Sequence, residues 1–256
     1  MPENTANWSG FDDLYRDGQT VNGLPPLTPW DIGGPQPAVQ LLVAYGAVHG
    51  KVLDPGTGPG HNAILYASKG YQVTGVDSSP AAIERAKLNA QRAGVDVDFL
   101  VADVTTLDGL KDNEYDTVVD SAVYHVFADD EPAQSSYAAA LHRVTKPGAR
   151  LFMFEFGQYN LNGIPGEGLT AENFERVLAP AGWRIDHLGT TTFQHHFNTE
   201  AFAHMATNQD GQYGERMKPV LDRLNIIGPL LDNNVLHWPV WAVVATRIDA
   251  AQSPAD

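Results

Sequence analysis

The stretch KVLDPGTGPG at residues 51–60 constrains the fold of this chain more than any other, because a short apolar run leads into a turn with glycine at alternate positions. Residues 61–69, which follow it, have the composition of a helix. Glycine tolerates positive φ and lets a ligand approach without meeting a Cβ, and a helix start offers unpaired N–H groups and a partial positive charge. The stretch therefore predicts a strand, a tight nucleotide-binding turn and a helix N-terminus.

Asp77, an acid at the end of the next strand-like run, narrows the choice of ligand class. In doubly wound α/β folds an acid at about this distance from the turn accepts hydrogen bonds from ribose hydroxyls. A dinucleotide site would read G-x-G-x-x-G, whereas the glycines here read G-x-G-x-G behind Asp54. The pattern points away from dinucleotides, and a purely structural turn in another α/β protein is the alternative.

Length and charge exclude several classes of function. The 256 residues are enough for one α/β domain with a large core. Lys and Arg number 16 against 31 acids, a formal net charge of −15, and the basic residues form no run. Phosphate backbones need clustered positive charge, so we expect no nucleic-acid partner. The lack of cysteine excludes disulfides, thiolate metal sites and a cysteine nucleophile.

The start of the chain and its apolar runs bear on location. Residues 1–10 are polar and lack the layout of a signal peptide, and no apolar run reaches membrane-spanning length. We therefore expect a cytoplasmic protein with no membrane partner. The sequence leaves open whether it is a monomer or a homodimer.

Strands and helices are predicted to alternate along most of the chain. Predicted strands cover 51–54, 71–77, 95–101, 115–122, 150–156, 183–193 and 238–248, and predicted helices cover 38–49, 61–69, 81–93, 130–145 and 170–181. A hydroxyl cap at 78–79 opens the third helix, and Gly94 ends it. This alternation indicates a parallel sheet with helices on both faces and ligands at the carboxyl ends of the strands.

The residues from 51 to 156 resemble class I S-adenosylmethionine (SAM) methyltransferases, because VLDPGTGPG matches the family's first motif and Asp77 its partner acid. FDDLY at 11–15, PWDIG at 29–33 and PQP at 35–37 further resemble the thiopurine-methyltransferase-like branch. Within it the chain is most similar to bacterial heterocyclic toxin methyltransferases, which methylate hydroxyquinolones and related small aromatics. The resemblance implies a Rossmann-like fold whose seven-stranded, mostly parallel sheet has one reversed strand at 238–247.

The resemblance also implies which residues hold the methionine part of SAM. Gly56, Gly58 and Gly60 would flank it, and Asp54 would hold its ammonium directly or through water. Ser121, just past the fourth strand, would lie near it as well. S-adenosylhomocysteine (SAH) would be the product.

The adenosine part has its own implied contacts. Asp77 would take the ribose hydroxyls, and Ser78 would sit beside the adenine. Asp103 and the Val104 backbone would recognise the adenine edge. Asp103 has a rival explanation, because an Asp before Val-Thr-Thr can simply cap a turn.

Two segments outside the core are predicted to cover the pocket. Residues 1–37 form an N-terminal lid from which Tyr15 and Trp30 would close over the cofactor, although Trp30 packing on the sheet edge fits equally well. Residues 194–237, with predicted helices at 199–208 and 215–224, form a cap inserted into a core of 38–193 and 238–248. The alternative is a decoration on the back of the sheet. In either case the chain is one domain, 1–256.

Histidines and one aspartate are candidates for acid–base chemistry. His125 follows the fourth strand at the mouth of the pocket and titrates near neutral pH, so it is the first candidate base; aromatic packing is its alternative. Asp31 is the second, or it positions Tyr15 or the cap. His195 and His196 are neighbours on a strand and point to opposite faces, so we expect no metal site there.

The predicted activity is methyl transfer from SAM to oxygen, nitrogen or sulfur of a small aromatic heterocycle such as a hydroxyquinolone, in detoxification or secondary metabolism. A natural-product, thiol or thiopurine S-methyltransferase is the nearest alternative. An NAD oxidoreductase and a non-catalytic SAM-binding protein are alternatives from other classes. A nucleic-acid methyltransferase is disfavoured, because DSAV at 120–123 replaces the Asn/Asp-Pro-Pro-aromatic motif.

Overall fold

A computed structural model, which describes residues 12, 15, 30–157, 160–161, 164–165, 168–196, 222 and 225–249, contains a seven-stranded sheet. Its strands are β1 (Lys51–Pro55), β2 (Gln72–Asp77), β3 (Asp98–Val101), β4 (Tyr115–Ser121), β5 (Thr145–Phe156), β6 (Trp183–His196) and β7 (Val235–Arg247). The spatial order is β3-β2-β1-β4-β5-β7-β6. All pairings are parallel except those of β7 with β5 and β6. The predicted Rossmann-like sheet with one reversed strand is confirmed.

Helices cover both faces of the sheet, as predicted. They are α1 (Pro37–Ala44), α2 (His61–Ser68), α3 (Pro80–Ala93), α4 (Glu131–Val144) and α5 (Ala171–Leu178), with 3₁₀ turns at Tyr124–Phe127, Gly228–Leu230 and Asp232–Asn234. Neighbouring strand residues face opposite cores: Val52 packs with Tyr66 on the α1–α3 side, and Leu53 packs with Tyr137 on the α4–α5 side. The sheet is therefore buried on both faces.

Local capping sets several helix boundaries. The side chain of Ser79 accepts a hydrogen bond from the Ala82 N–H and opens α3, and Gly94 ends that helix at φ +67°. Asp130 and Thr170 cap α4 and α5 in the same way. The predicted cap and stop of the third helix are confirmed.

Other predicted bounds were wrong for local reasons. The helix predicted at 38–49 ends at Ala44, because Gly46 takes left-handed φ (+70°). The strand predicted from 95 begins at Asp98, because the Val95 N–H still donates to the Ala90 carbonyl at the end of α3.

The last two strands extend further than predicted. His195 pairs with Leu236 and His196 with Val235, so β6 and β7 reach three residues beyond each predicted end and their connection is 197–234. The predicted helix 199–208 lies outside the described residues, as does 215–224 except for Asp222. None of the described helices is both long and apolar enough to cross a membrane.

Candidate active site

The glycine turn lies at the carboxyl end of β1, in the middle of the sheet. Gly56, Gly58 and Gly60 all take left-handed φ, at +62°, +52° and +82°. A Cβ on Gly60 would come within 3.0 Å of Ala86 and of the Phe99 ring. Only glycine satisfies both the dihedrals and the space, so the turn offers bare backbone at the start of α2.

Asp54 stabilises this turn through a hydrogen bond with Thr57. Its carboxylate is buried and accepts a hydrogen bond from the Thr57 hydroxyl at 2.6 Å. Burial raises the pKa of Asp54 to about 7. Its contact with the ammonium of SAM stays a prediction.

Asp77 links the turn to the next helix. One of its carboxylate oxygens accepts the Gly58 N–H at 2.9 Å and the other accepts the Ser79 N–H at 2.9 Å. Burial raises its pKa. Each oxygen keeps a further lone pair, so the carboxylate can also accept from a diol. Ser78 lies exposed beside it.

The predicted adenine contacts lie beyond β3. Asp103 is exposed, and one oxygen accepts both the N–H and the hydroxyl of Thr105, at 2.8 and 2.7 Å. Asp103 therefore caps a turn, which was the rival explanation, and its adenine role stays a prediction. Val104 is half-buried against the core.

Residues from the N-terminal segment contact the glycine turn. The Tyr15 hydroxyl would lie 3.0 Å from a Cβ on Gly58, and the indole N–H of Trp30 donates to that hydroxyl at 3.4 Å. Asp12 accepts a hydrogen bond from the Ser79 hydroxyl at 2.7 Å. The segment is thus attached beside the predicted cofactor site.

Asp31 serves this attachment. It accepts the Gly33 N–H at 2.9 Å and lies 2.9 Å from Nε2 of His61, at the start of α2. Burial alone would raise the pKa of Asp31, but the hydrogen bond and charge of His61 outweigh it and hold that pKa below its usual value. This geometry favours a positioning role over a base.

His125 pairs with a buried carboxylate that our sequence reasoning missed. Its Nδ1 is 2.9 Å from Oε2 of Glu155, which also accepts the His125 backbone N–H at 2.9 Å. Glu155 is 0% exposed and lies near the end of β5. Burial lowers the pKa of His125 to about 4, so the imidazole is neutral. When Glu155 is ionised it accepts the Nδ1 proton of His125, and Nε2 then carries the lone pair.

A second buried acid, Asp120, supports the pair. It accepts the Tyr137 hydroxyl at 2.9 Å and the Val123 N–H at 3.0 Å. Burial and then the neighbouring Glu155 charge raise the pKa of Asp120 well above its usual value, while burial raises that of Glu155 to about 7. Backbone N–H groups of Tyr124 and His125 donate to Glu155, whereas that of Val123 donates to Asp120, so the negative charge is favoured on Glu155 over Asp120.

Aromatic rings continue from His125 toward the last strands. The ring of Phe156 lies edge-on to His125 at 4.7 Å and edge-on to His195 at 5.4 Å between centroids. Trp238 lies 6.5 Å from His195. We define the acceptor wall as His125, Phe156, His195 and Trp238. In the part of the chain that the structure describes, no group of three His, Cys, Asp or Glu is placed to hold a metal ion.

The residues after β4 connect His125, the candidate base, to the glycine turn. Ser121, half-exposed, ends that strand, and Ala122 takes left-handed φ at +70°. A Cβ on Gly56 would overlap Val123, two residues before His125. The predicted glycines, Ser121 and His125 are thus brought together at one edge of the sheet.

Comparisons with known proteins identify the family of this chain. Residues 53–153 match the family model of the methyltransferase domain. The chain is 32% identical over 190 residues to the 2-heptyl-1-hydroxyquinolin-4(1H)-one methyltransferase of Mycobacteroides abscessus, covering 73% of this chain and 81% of that protein. It is 31% identical over 160 residues to probable thiol methyltransferase 2 of Arabidopsis thaliana, covering 61% and 69%.

A solved structure is similar over nearly the whole chain. It concerns the conversion of a disulfide bond into a thioacetal group during echinomycin biosynthesis, with a TM-score of 0.70, 28% identity, and coverage of 94% of this chain and 92% of that one. The fold and the glycine turn define a class I methyltransferase. The chain belongs to the SAM-dependent methyltransferases, with SAM as its cofactor and SAH as its product.

Proposed function

We propose that this enzyme methylates an oxygen, or a nitrogen or sulfur, of a small aromatic heterocycle such as a hydroxyquinolone, as a detoxification reaction. The observation that carries the proposal is the pair of His125 with Glu155 beside the glycine turn. A neutral, half-buried imidazole that is hydrogen-bonded to a carboxylate through one ring nitrogen has a second ring nitrogen that can take a proton from a hydroxyl. The 32% identity to the hydroxyquinolone enzyme supports the same class of acceptor.

The residues of the turn fit the cofactor. Three left-handed glycines leave backbone open where side chains would intrude, and Asp77 has lone pairs for the ribose hydroxyls. Asp54 and Ser121 would hold the methionine end, Ser78, Asp103 and Val104 the adenine, and Tyr15 and Trp30 would cover the site. When bound, SAM supplies an electrophilic methyl group on sulfur.

The chain's own task is to deliver a nucleophile. Nε2 of His125 takes the hydroxyl proton, and the Glu155 carboxylate stabilises the imidazolium through Nδ1–H. The rings of the acceptor wall hold an aromatic acceptor and exclude water. Asp31 fixes the N-terminal segment against α2.

The domain plan belongs to the same proposal. We propose one catalytic domain over 1–256, with residues 1–37 as a lid and the connection after β6 as a cap. The contacts of Asp12 and Tyr15 with α3 and the glycine turn support the lid. The cap lies mostly outside the described residues, and a cytoplasmic location stays a prediction.

The test is incubation of the purified protein with SAM and a panel of phenols, hydroxyquinolones, thiols and N-heterocycles, with products identified by mass. We expect a hydroxyquinolone to gain one methyl group at its hydroxyl. Methylation of thiols alone would favour the S-methyltransferase alternative, which the similarity to the Arabidopsis protein supports. Turnover of none of these acceptors would overturn the proposed substrate class.

A further inference from the structure

His195 holds an unexplained polar atom in the acceptor wall. The residue is 8% exposed near the end of β6, and among the residues that the structure describes its buried Nε2 has no hydrogen-bond partner. A buried polar atom left unpaired destabilises a folded protein, so such atoms usually serve a ligand or a water. The adjacent histidine, His196, is more exposed.

The ring of His195 lies beside the proposed base. Both imidazoles contact the same Phe156 ring edge-on, at interplanar angles of 76° for His125 and 73° for His195. Burial and then the charge that His125 would carry lower the pKa of His195 to about 4. Two neutral imidazoles therefore contact the same aromatic ring.

We infer that His195 is a specificity-determining residue, an inference that rests on the proposed function. It hydrogen-bonds a second polar atom of the acceptor, distinct from the reacting hydroxyl. The acceptor is a flat aromatic ring system with its reacting hydroxyl at His125 and a ring carbonyl or ring nitrogen at His195. A neutral imidazole donates to a carbonyl or accepts from a ring N–H, according to its tautomer. An acceptor that lacks this second group leaves the buried nitrogen unpaired.

The test compares two bicyclic acceptors, 1-hydroxyquinolin-4(1H)-one, which has a ring carbonyl, and 1-naphthol, which has none. His195→Phe keeps the aromatic packing against Phe156 and removes both nitrogens. We expect the KM for the hydroxyquinolone to rise about tenfold and the KM for naphthol to change less than about twofold. His195→Gln, which keeps a donor and an acceptor, should recover most of the loss.

His196→Ala is the matched control, because the side chain at this position points to the other face of β6. SAH affinity should match wild type in every variant and no variant should melt below wild type, which separates acceptor binding from folding. Equal KM changes for both acceptors in His195→Phe, or no change for either, would overturn the inference and leave the proposed function intact. If wild type methylates neither acceptor, the proposed function fails and the inference fails with it.

Discussion

Gly56 and Val123 pack so closely that a Cβ at position 56 would overlap Cγ2 of Val123. The two residues belong to different loops, one in the cofactor turn and the other two positions before the proposed base His125. The absence of a side chain at Gly56 therefore sets the separation between the cofactor turn and the loop that carries the base. This separation is open to direct test.

Gly56→Ala should lower both SAH affinity and kcat, because the new methyl group pushes the base loop from the turn. Gly70→Ala is a matched control, since Gly70 has a similar left-handed φ (+87°) but open space around its Cβ position. The left-handed dihedral destabilises both variants by about 1 kcal/mol, and only Gly56→Ala is destabilised further by the overlap with Val123. Adding Val123→Ala should recover part of the loss; an additive double mutant would argue against the contact.

Removing the proposed base should change the pH dependence as well as the rate. His125→Ala should lower kcat for a weakly acidic hydroxyl by about 10²–10⁴-fold and leave a pre-ionised thiol nearly unaffected. In wild type the imidazole is neutral above its pKa of about 4, and Glu155, whose pKa is about 7, gains its charge between pH 6 and 8, so the rate should rise through pH 7 and then level off. In the variant it should climb with pH as the acceptor ionises on its own. An equal loss for both acceptors would remove His125 as the base.

Glu155→Gln tests the orientation of that base. The amide keeps the volume of the carboxylate but removes the charge that stabilises protonated His125, so kcat should fall while SAH affinity stays within about twofold. The pH–rate profile and SAH calorimetry check this. A parallel loss of SAH binding and kcat would indicate general disruption of β5.

Asp77→Asn should weaken SAH binding by about tenfold or more, because the ribose loses a charge-assisted acceptor. The amide oxygen can still accept one of the two backbone N–H groups, of Gly58 or Ser79, so the turn is largely retained. Asp108→Asn, an exposed change, is the control. Unchanged affinity by calorimetry would contradict the ribose assignment.

Asp54 should make stability depend on pH in a defined direction. Its folded pKa of about 7 exceeds the usual 3.8, so between these values the folded state binds more protons than the unfolded state. The free energy of unfolding then falls as pH rises, by up to about 1.4 kcal/mol per unit. Asp54→Asn, which can still accept from Thr57, should reduce this slope, and the raised pKa values of Asp120 and Glu155 account for what remains. Denaturant unfolding at pH 5 and pH 7 measures it, and equal slopes in both proteins would contradict the shift.

Local signals in the sequence were sufficient for much of the fold. The alternation of strands and helices, the Ser79 cap and the positive-φ glycines each depend on a few neighbouring residues. Pairings between distant residues were not predictable in the same way. Glu155 was missed because its meaning depends on His125, 30 residues away in sequence, although an acid within the apolar run LFMFEF was a usable signal.

The predicted ends of the last two strands were wrong because a neighbouring strand determines where each one ends. The ends of β6 and β7 depend on their pairing with each other, so the composition of either segment alone does not show where its strand ends. Asp103 shows the same limit on site residues, since capping a turn and binding adenine call for the same carboxylate. The sequence pattern alone does not distinguish the capping role from the adenine-binding role.

The antiparallel strand β7 lies between β5 and β6, so His195 and Trp238 come from the end of the chain, whereas the glycine turn, His125 and Phe156 come from the segment between β1 and the end of β5. If the proposed roles hold, a few substitutions in the last two strands are enough to redirect the enzyme to a new metabolite. Enzyme engineers can test this division by varying positions 195 and 238 while keeping buried residues such as Trp183 and Val243.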